Sequence, residues 1–211
     1  MTFPIWRRRK PATWPSNERQ NMENTSDYFD DLQAHEGCCT WLYCDSRGYV
    51  TTGIGNLVAD ADACAALPWQ HALANVGGSP APVTDEQKRT AYANVLNAFG
   101  PTKPSAMSYR SISDLRLTLD FVVGLVEQRL EAESIPGIQE LCPSFDEFPL
   151  PARRALVDMA YNLGVHGLSH FNLMLTACNA RDWATAARQC HRSTCRDSRN
   201  DWTAQMFASC T

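Results

Sequence analysis

The chain has 211 residues, of which 44% are hydrophobic and 20% are charged. This length and composition are typical of one globular domain with a sizeable core, and they exclude a wholly disordered chain. The net charge of −4 provides no global positive field, so no nucleic-acid partner is expected.

Residues 1–24 mix prolines, basic residues and polar residues without periodicity, which predicts a linker or tail ahead of a globular domain at residues 25–211. A polar, proline-containing stretch follows the basic run at residues 7–10, where a signal peptide needs an apolar block. We therefore expect no conventional export signal. No run of 18 apolar residues occurs, so no membrane span is expected.

A short helix and a β-hairpin are predicted next. Ser26 can cap a helix that Gly37 ends in the left-handed conformation, which puts Glu36 in the last helical turn. Residues 41–44 and 49–54 are rich in aromatic and β-branched residues, and they flank the turn sequence DSRG.

Beyond about residue 60 the patterns predict helices. Each of four predicted helices has its own signal: a capping box, an apolar stripe with spacings of three and four, a proline pair, and an Asn or Asp cap. The capping box of Thr84 and Gln87 opens a helix to about Ala98, and the apolar stripe runs from Leu115 to Leu130. The proline pair opens a helix from Pro149 to Gly164, and the last helix starts at Asn179 or Asp182. The predicted fold class is α+β, with a small hairpin lobe, a larger helical lobe and a cleft between them.

The nine cysteines are an odd number, so at least one thiol stays unpaired in a monomer. Disulfides among the others would suit an oxidising compartment such as the periplasm, but the sequence does not decide their pairing. Cys190, His191 and Cys195 fit no established spacing of metal ligands. No metal site and no cofactor are expected.

Two carboxylic acids at the ends of the first hairpin strand lie in contrasting predicted environments. Glu36 meets the negative end of a helix dipole among aromatic neighbours, and both effects favour its protonated form. Asp45 lies in a polar turn, where backbone amides solvate its ionised form. Such a pair suits the cleavage of a glycosidic bond, although acidic residues on a hairpin are also typical of a solvated surface.

Side chains alternate between the two faces of the second strand, so Val50 and Ile54 are expected to face the core. Thr51 is then expected on an open face across the turn from Asp45, where its hydroxyl can help to hold a water. Glycines on that face leave room for a substrate. The residues that share the face are Tyr49, Thr51, Gly53 and Gly55.

This segment resembles the phage-type lysozymes, a family of muramidases and endolysins whose signature is E-G, an aromatic-bearing strand and D-x-x-G-x-x-T-x-G-x-G. Residues 36–55 read EGCCTWLYCDSRGYVTTGIG and match each signature position. The resemblance implies a lysozyme-like fold, with Glu36 as general acid and with Asp45 and Thr51 positioning the attacking water. It also implies inverting hydrolysis of the β-1,4 bond between N-acetylmuramic acid and N-acetylglucosamine in peptidoglycan.

A second segment, RRALVDMAYNLG at residues 153–164, is similar to the long central helix of the same family. By that similarity Asn162 is expected to line the cleft and contact substrate, with Tyr49, Gly53 and Gly55 on the opposite side. An asparagine near a helix end is equally typical of a cap or a core hydrogen bond. The resemblance covers residues 26–57 and 151–192 and is weak between them.

Three features depart from the family pattern. Asn56 stands where the family often has a histidine, so the ion pair of that histidine is not expected. The stretch 58–150 is longer than in compact members, which leaves substrate preference open. The chain is acidic, whereas members that attack anionic cell walls are often basic.

Other functions remain open at this stage. A lytic transglycosylase needs the glutamate but no water-holding aspartate, and a non-catalytic wall-binding module or degenerate inhibitor needs neither. We expect a monomer that binds peptidoglycan glycan strands in the bacterial periplasm. A chain without a conventional signal reaches that compartment through phage lysis, or through a secretion machine as an antibacterial effector toxin, which would imply a cognate immunity protein.

Overall fold

The computed structural model describes residues 28–72 and 82–210. The predicted linker at residues 1–24 and the predicted cap at Ser26 lie outside the described residues. The described chain combines helices with two small antiparallel sheets, so the predicted α+β class is confirmed. None of the helices in the described ranges is long and apolar enough to cross a membrane.

Helix α1 covers residues 28–36. The helices that follow are α2 (Ala61–Ala65), α3 (Asp85–Asn97), α4 (Leu119–Arg129), α5 (Ile135–Leu141), α6 (Leu150–Ser169), α7 (Asn172–Asn179), α8 (Trp183–Gln189) and α9 (Asp197–Ala208). Two 3₁₀ turns cover Ala106–Ser111 and Phe145–Glu147, and a π-helical turn covers Leu130–Ser134.

The predicted hairpin forms the first two strands of a three-stranded sheet. The strands lie in the order β1 (Cys39–Cys44), β2 (Val50–Gly53) and β3 (Asn56–Leu57). The turn closes where the Asp45 amide donates to the Tyr49 carbonyl at 2.9 Å, and Gly48 has a φ of 88°. Strand β3 was not predicted, because a strand of two residues is too short to show an alternation of apolar and polar side chains.

Part of the long stretch after residue 60 covers this sheet. Strands β4 (Gln70–His71) and β5 (Leu115–Arg116) form the second sheet, and the amide of Leu117 donates to the Thr40 carbonyl at 2.8 Å. The indole of Trp41 donates to the Ala106 carbonyl at 2.9 Å, with the guanidinium of Arg116 5.7 Å from its ring. These contacts fix the covering segment to β1.

One predicted helix boundary is wrong, because Leu115 lies in β5 and α4 begins only at Leu119. The side chain of Thr118 accepts a hydrogen bond from the Phe121 amide at 3.2 Å and so sets the start of the helix. Helix α4 continues through the π-helical turn into α5. Pro136 follows that turn and lacks the amide that a regular helix would need there.

Helix α6 forms the centre of the helical part and opens at the predicted proline pair. It was predicted to end at Gly164, which instead forms a kink with φ 73° and ψ 160°, and helical structure resumes to Ser169. Most buried side chains of α6 are apolar, but Asp158 is only 1% exposed. A buried carboxylate needs charged or hydrogen-bonding partners, and these lie beside Glu36.

Candidate active site

Glu36 is the last residue of α1, and Gly37 with a φ of 75° ends the helix as predicted. The side chain of Glu36 is 29% exposed, so a ligand can reach it. Its Oε1 accepts a hydrogen bond from Nη1 of Arg199 at 2.7 Å and a longer one from Nδ2 of Asn162 at 3.4 Å. Helices α6 and α9 therefore both fix the position of this carboxylate.

Arg199 was not identified from the sequence, and it alters the expected electrostatics of Glu36. Its guanidinium brings a positive charge within hydrogen-bond distance of the carboxylate. Arg199 is brought to the site by tertiary packing of α9, which leaves no signal in the local pattern around Glu36.

Asp45 lies in the hairpin turn in the environment that was predicted. Its Oδ1 accepts hydrogen bonds from the amides of Arg47 at 2.8 Å and Tyr49 at 2.9 Å. The other oxygen, Oδ2, has no hydrogen-bond partner within residues 28–72 and 82–210. Backbone amides thus hold one oxygen of the carboxylate and leave the second available to a water.

Tyr43 in β1 is close to both carboxylates. Burial is the main cause of the raised pKa of its phenol, and the negative charges of nearby groups, including Asp45 and Glu36, raise it further. Both carboxylates are therefore close enough to act on a single phenol. Glu36 precedes β1 and Asp45 follows it, and the phenol of Tyr43 in that strand is close to both carboxylates.

The expected open position of Thr51 is wrong, because this residue is only 4% exposed. Thr51 lies in the central strand and pairs with Tyr43 of β1 and Leu57 of β3. Its hydroxyl donates to the Tyr49 carbonyl at 2.9 Å. Its water-positioning role stays a prediction that requires a substrate to move or expose the hydroxyl.

The other hairpin residues proposed to contact substrate differ in accessibility. Tyr49 is 57% exposed, and Gly55 is exposed with no atom within 4 Å of an added Cβ. Gly53 is buried, since a Cβ there would lie 3.1 Å from Cγ1 of Val122 in α4. The missing side chain of Gly53 thus makes room for a helix.

Asn56 hydrogen bonds within its own turn, where its Oδ1 accepts from the Ile54 amide at 3.3 Å. Next to this turn is an open cavity of about 460 Å³ between β3 and the helix formed by α4 and the π-helical turn. Gly55, Leu57, Arg129 and Glu133 are among its lining residues. The hairpin and the helical part therefore border a shared depression.

Behind Glu36 is a buried group of charges that was also not identified from the sequence. Asp158 accepts hydrogen bonds from Arg199, from Arg192 at 3.0 Å and from Nδ1 of His35 at 2.8 Å. Burial raises the pKa of Asp158, but the hydrogen bonds from His35 and Arg199 and the charges of both arginines outweigh it and lower the pKa to about 2. The single acidic residue on the otherwise apolar face of α6 could have predicted charged partners, because a buried carboxylate needs them.

The described residues contain no group of three or more His, Cys, Asp or Glu side chains arranged to hold a metal ion. All nine cysteines are free thiols, and six of them are buried. Burial raises the pKa of all six buried thiols, for example that of Cys142 to about 11. They therefore behave mainly as small core side chains.

Comparison with known proteins gives one distant similarity. No family model matches the chain. It is 24% identical over 177 residues to the pre-baseplate central spike protein Gp5 of Enterobacteria phage T4, in an alignment that covers 82% of this chain. The chain spans about a quarter of the length of that relative, since the alignment covers 24% of it.

Proposed function

We propose that the protein is a peptidoglycan hydrolase of the muramidase type, with Glu36 as general acid and Asp45 as the group that directs water. The contrasting surroundings of these two carboxylates carry the proposal. Glu36 is partly exposed and hydrogen bonded to Arg199, whereas Asp45 is held by backbone amides. Two carboxyl groups at one site in different environments are what glycoside hydrolysis requires.

The contacts of Glu36 suggest how it would act. Its Oε1 accepts from Arg199 and Asn162, so Oε2 is the oxygen left to face a glycosidic oxygen. A sugar ring bound over the exposed part of the side chain would remove water from it, and desolvation favours the protonated carboxyl. This effect opposes that of Arg199 and would favour proton donation to the leaving sugar.

Asp45 supplies the second half of the reaction. Because two amides hold Oδ1, its free oxygen keeps a fixed direction from which it can accept a proton of a water molecule. That water would attack the anomeric carbon from the face opposite Glu36, which gives net inversion. Thr51 would assist if substrate binding turned its hydroxyl away from the Tyr49 carbonyl.

Distant similarity to a phage spike protein supports a link to phage-type cell-wall hydrolysis, in agreement with the hairpin motif. It does not favour the effector setting over phage-associated release. We propose peptidoglycan glycan strands as the substrate in either setting, and a cognate immunity protein as a partner only if the chain is an effector.

Digestion of purified sacculi followed by mass spectrometry of the soluble fragments tests the proposal. We expect disaccharide peptides with reducing N-acetylmuramic acid ends from the wild-type protein. Anhydro-muramic ends would instead identify a lytic transglycosylase. Binding to sacculi without release of fragments would show a wall-binding module and contradict the assignment of an enzyme.

A further inference from the structure

Asp158 lies in the middle of α6 and accepts hydrogen bonds from side chains in three other parts of the fold. His35 comes from α1, Arg192 from the loop after α8, and Arg199 from α9. Asp158 and Arg192 are each 1% exposed, and Arg199 is 8% exposed. The group is therefore shielded from solvent, and its geometry is fixed by direct bonds.

The donors of Arg199 are divided unequally between two carboxylates. Its Nε donates to both oxygens of Asp158 at 3.1 Å, and its Nη2 donates to Oδ1 at 2.7 Å. Only Nη1 donates to Glu36. Because a guanidinium is planar and rigid, the bonds to Asp158 fix the direction in which Nη1 points.

Arg192 is the second cation beside Asp158, and it has its own supports. Its Nη1 donates to Oδ2 of Asp158 at 3.0 Å and its Nη2 to the Thr203 hydroxyl at 2.7 Å. Its Nη1 also lies 3.5 Å from Oδ1 of Asn162, the residue whose amide nitrogen reaches Glu36. Two routes thus connect Asp158 to Glu36, through Arg199 and through Arg192 with Asn162.

We propose that Asp158 is a positioning residue that shares Arg199 with Glu36 and limits Glu36 to a single bond from that guanidinium. This inference rests on the proposed role of Glu36 as the acid. Without Asp158, Glu36 would be the nearest remaining carboxylate, and Arg199 would turn a second donor toward it. The oxygen that faces the sugar would then be occupied, and the ionised form would be favoured.

The charges around Glu36 set the sign of the expected change. The phenols of Tyr43 in β1 and Tyr161 in α6 are close enough to Glu36 for its charge to act on them. Arg199 of α9 hydrogen bonds to Glu36. The other charged or titratable groups, Asp158, Arg192 and His35, lie behind Arg199. Removing the negative charge of Asp158 leaves two guanidinium groups without a buried counter-ion. A more positive surrounding favours loss of the Glu36 proton, so activity would fall at a lower pH than in the wild-type protein.

The first test compares Asp158→Asn with Asp31→Asn in the full chain. Asp31 is also buried and pairs with Arg154 of α6 at 2.6 Å, so its loss breaks a similar α1–α6 ion pair without touching Arg199. For Asp158→Asn we expect kcat on peptidoglycan to fall by about 100-fold with KM little changed. The alkaline limb of the pH profile should move to lower pH. Asp31→Asn should keep kcat and both limbs.

A second measurement uses nitrogen-15 NMR of the arginine side chains and needs no substrate. In the wild-type protein the Arg199 Nε–H resonance should be protected from solvent exchange, and the Arg199 guanidinium signals should shift as Glu36 is titrated. Exchange of the Nε–H should be faster in Asp158→Asn, because one neutral amide oxygen replaces the two carboxylate oxygens that accept from Arg199, and it should be unchanged in Asp31→Asn. If Asp158→Asn does not fold, the wild-type spectrum alone decides.

The outcomes separate this inference from the proposed function. An exposed, exchanging Nε–H in the wild-type protein, or an unmoved alkaline limb in a folded Asp158→Asn, would overturn the positioning role even if sacculi are cleaved. Equal losses of kcat in both variants with unmoved pH profiles would reduce Asp158 to a fold determinant. A protected Nε–H without any cleavage of sacculi would instead refute the hydrolase and leave the shared Arg199 contact intact.

Discussion

Nη1 of Arg199 lies 2.7 Å from Oε1 of Glu36, although the two residues are 163 positions apart. Glu36 ends the first described helix and Arg199 belongs to α9. The carboxylate that the sequence motif marks as the acid is therefore held by a residue far outside the motif.

Glu36→Gln is expected to abolish the release of fragments from sacculi and to preserve the fold. The amide keeps the shape of the side chain and can still accept from Arg199, but it has no transferable proton. Turbidity of a sacculus suspension and circular dichroism measure the two effects. Glu131→Gln, on an exposed position of the π-helical turn, is the matched control and should clear normally. Unchanged clearing by Glu36→Gln would exclude Glu36 as the acid.

Asp45→Asn is expected to cost far more activity than stability. The amide oxygen can still accept from the Arg47 and Tyr49 amides, so the turn persists while the negative charge is lost. We expect the rate of sacculus digestion to fall by at least about 100-fold and the melting temperature to change little. Asp60→Asn makes the same chemical change at the cap of α2 and should leave the rate intact. A fully active Asp45→Asn would move the water-directing role to another group.

Acid should destabilise the protein partly through Asp158. The pKa of this carboxyl is lowered from 3.8 to about 2, so between these values the unfolded chain binds more protons than the folded one. Its contribution, on the order of 2 kcal/mol, is present above pH 4 and is lost as the pH falls through about 2. Urea unfolding at several acidic pH values should show a shallower pH dependence in Asp158→Asn. Parallel curves for the two proteins would contradict this assignment.

The thiols should react in two groups with a disulfide reagent at pH 8. Cys38, Cys39 and Cys195 are half-buried, and the other six cysteines are buried. Burial raises the pKa of Cys39 to about 11, with the charge of Cys38 adding to the effect, so Cys39 should react slowly. We expect no more than three thiols to react before denaturant is added and six more afterwards. Fewer than nine in total would reveal disulfides in the purified protein.

Gly48→Ala should destabilise the hairpin turn by about 1–3 kcal/mol. Gly48 has a φ of 88°, and an added Cβ would lie 2.8 Å from Cε1 of Phe99 in the segment that covers the sheet. Gly100→Ala is the control, since a Cβ there meets nothing within 4 Å. Chemical denaturation compares the two, and equal stabilities would show that the turn and Phe99 adjust without strain.

Local chemistry made the first part of the site predictable. The helix end at Gly37, the DSRG turn and the carboxylates at either end of β1 depend on residues close in sequence, and the structure reproduces them. The capping box of Thr84 and Gln87 was predictable for the same reason.

Long-range packing set the features that sequence analysis missed. Thr51 is buried in a strand that pairs on both sides, and Leu115 pairs with His71 in place of extending a helix. Arg199 reaches Glu36 only because α9 packs against α6. Alternation and spacing report which face of an element is apolar, but they do not report which distant charge will lie against it.

The division of the site between the hairpin and α9 limits what can be transplanted. A graft of α1 and the hairpin onto another scaffold would carry Glu36, Tyr43 and Asp45 but would lack the guanidinium that hydrogen bonds to Glu36. A working graft would need α6 and α9 as well, with Asp158 and Arg199 at their present separation. Most of the domain would therefore have to be transferred to keep the site intact.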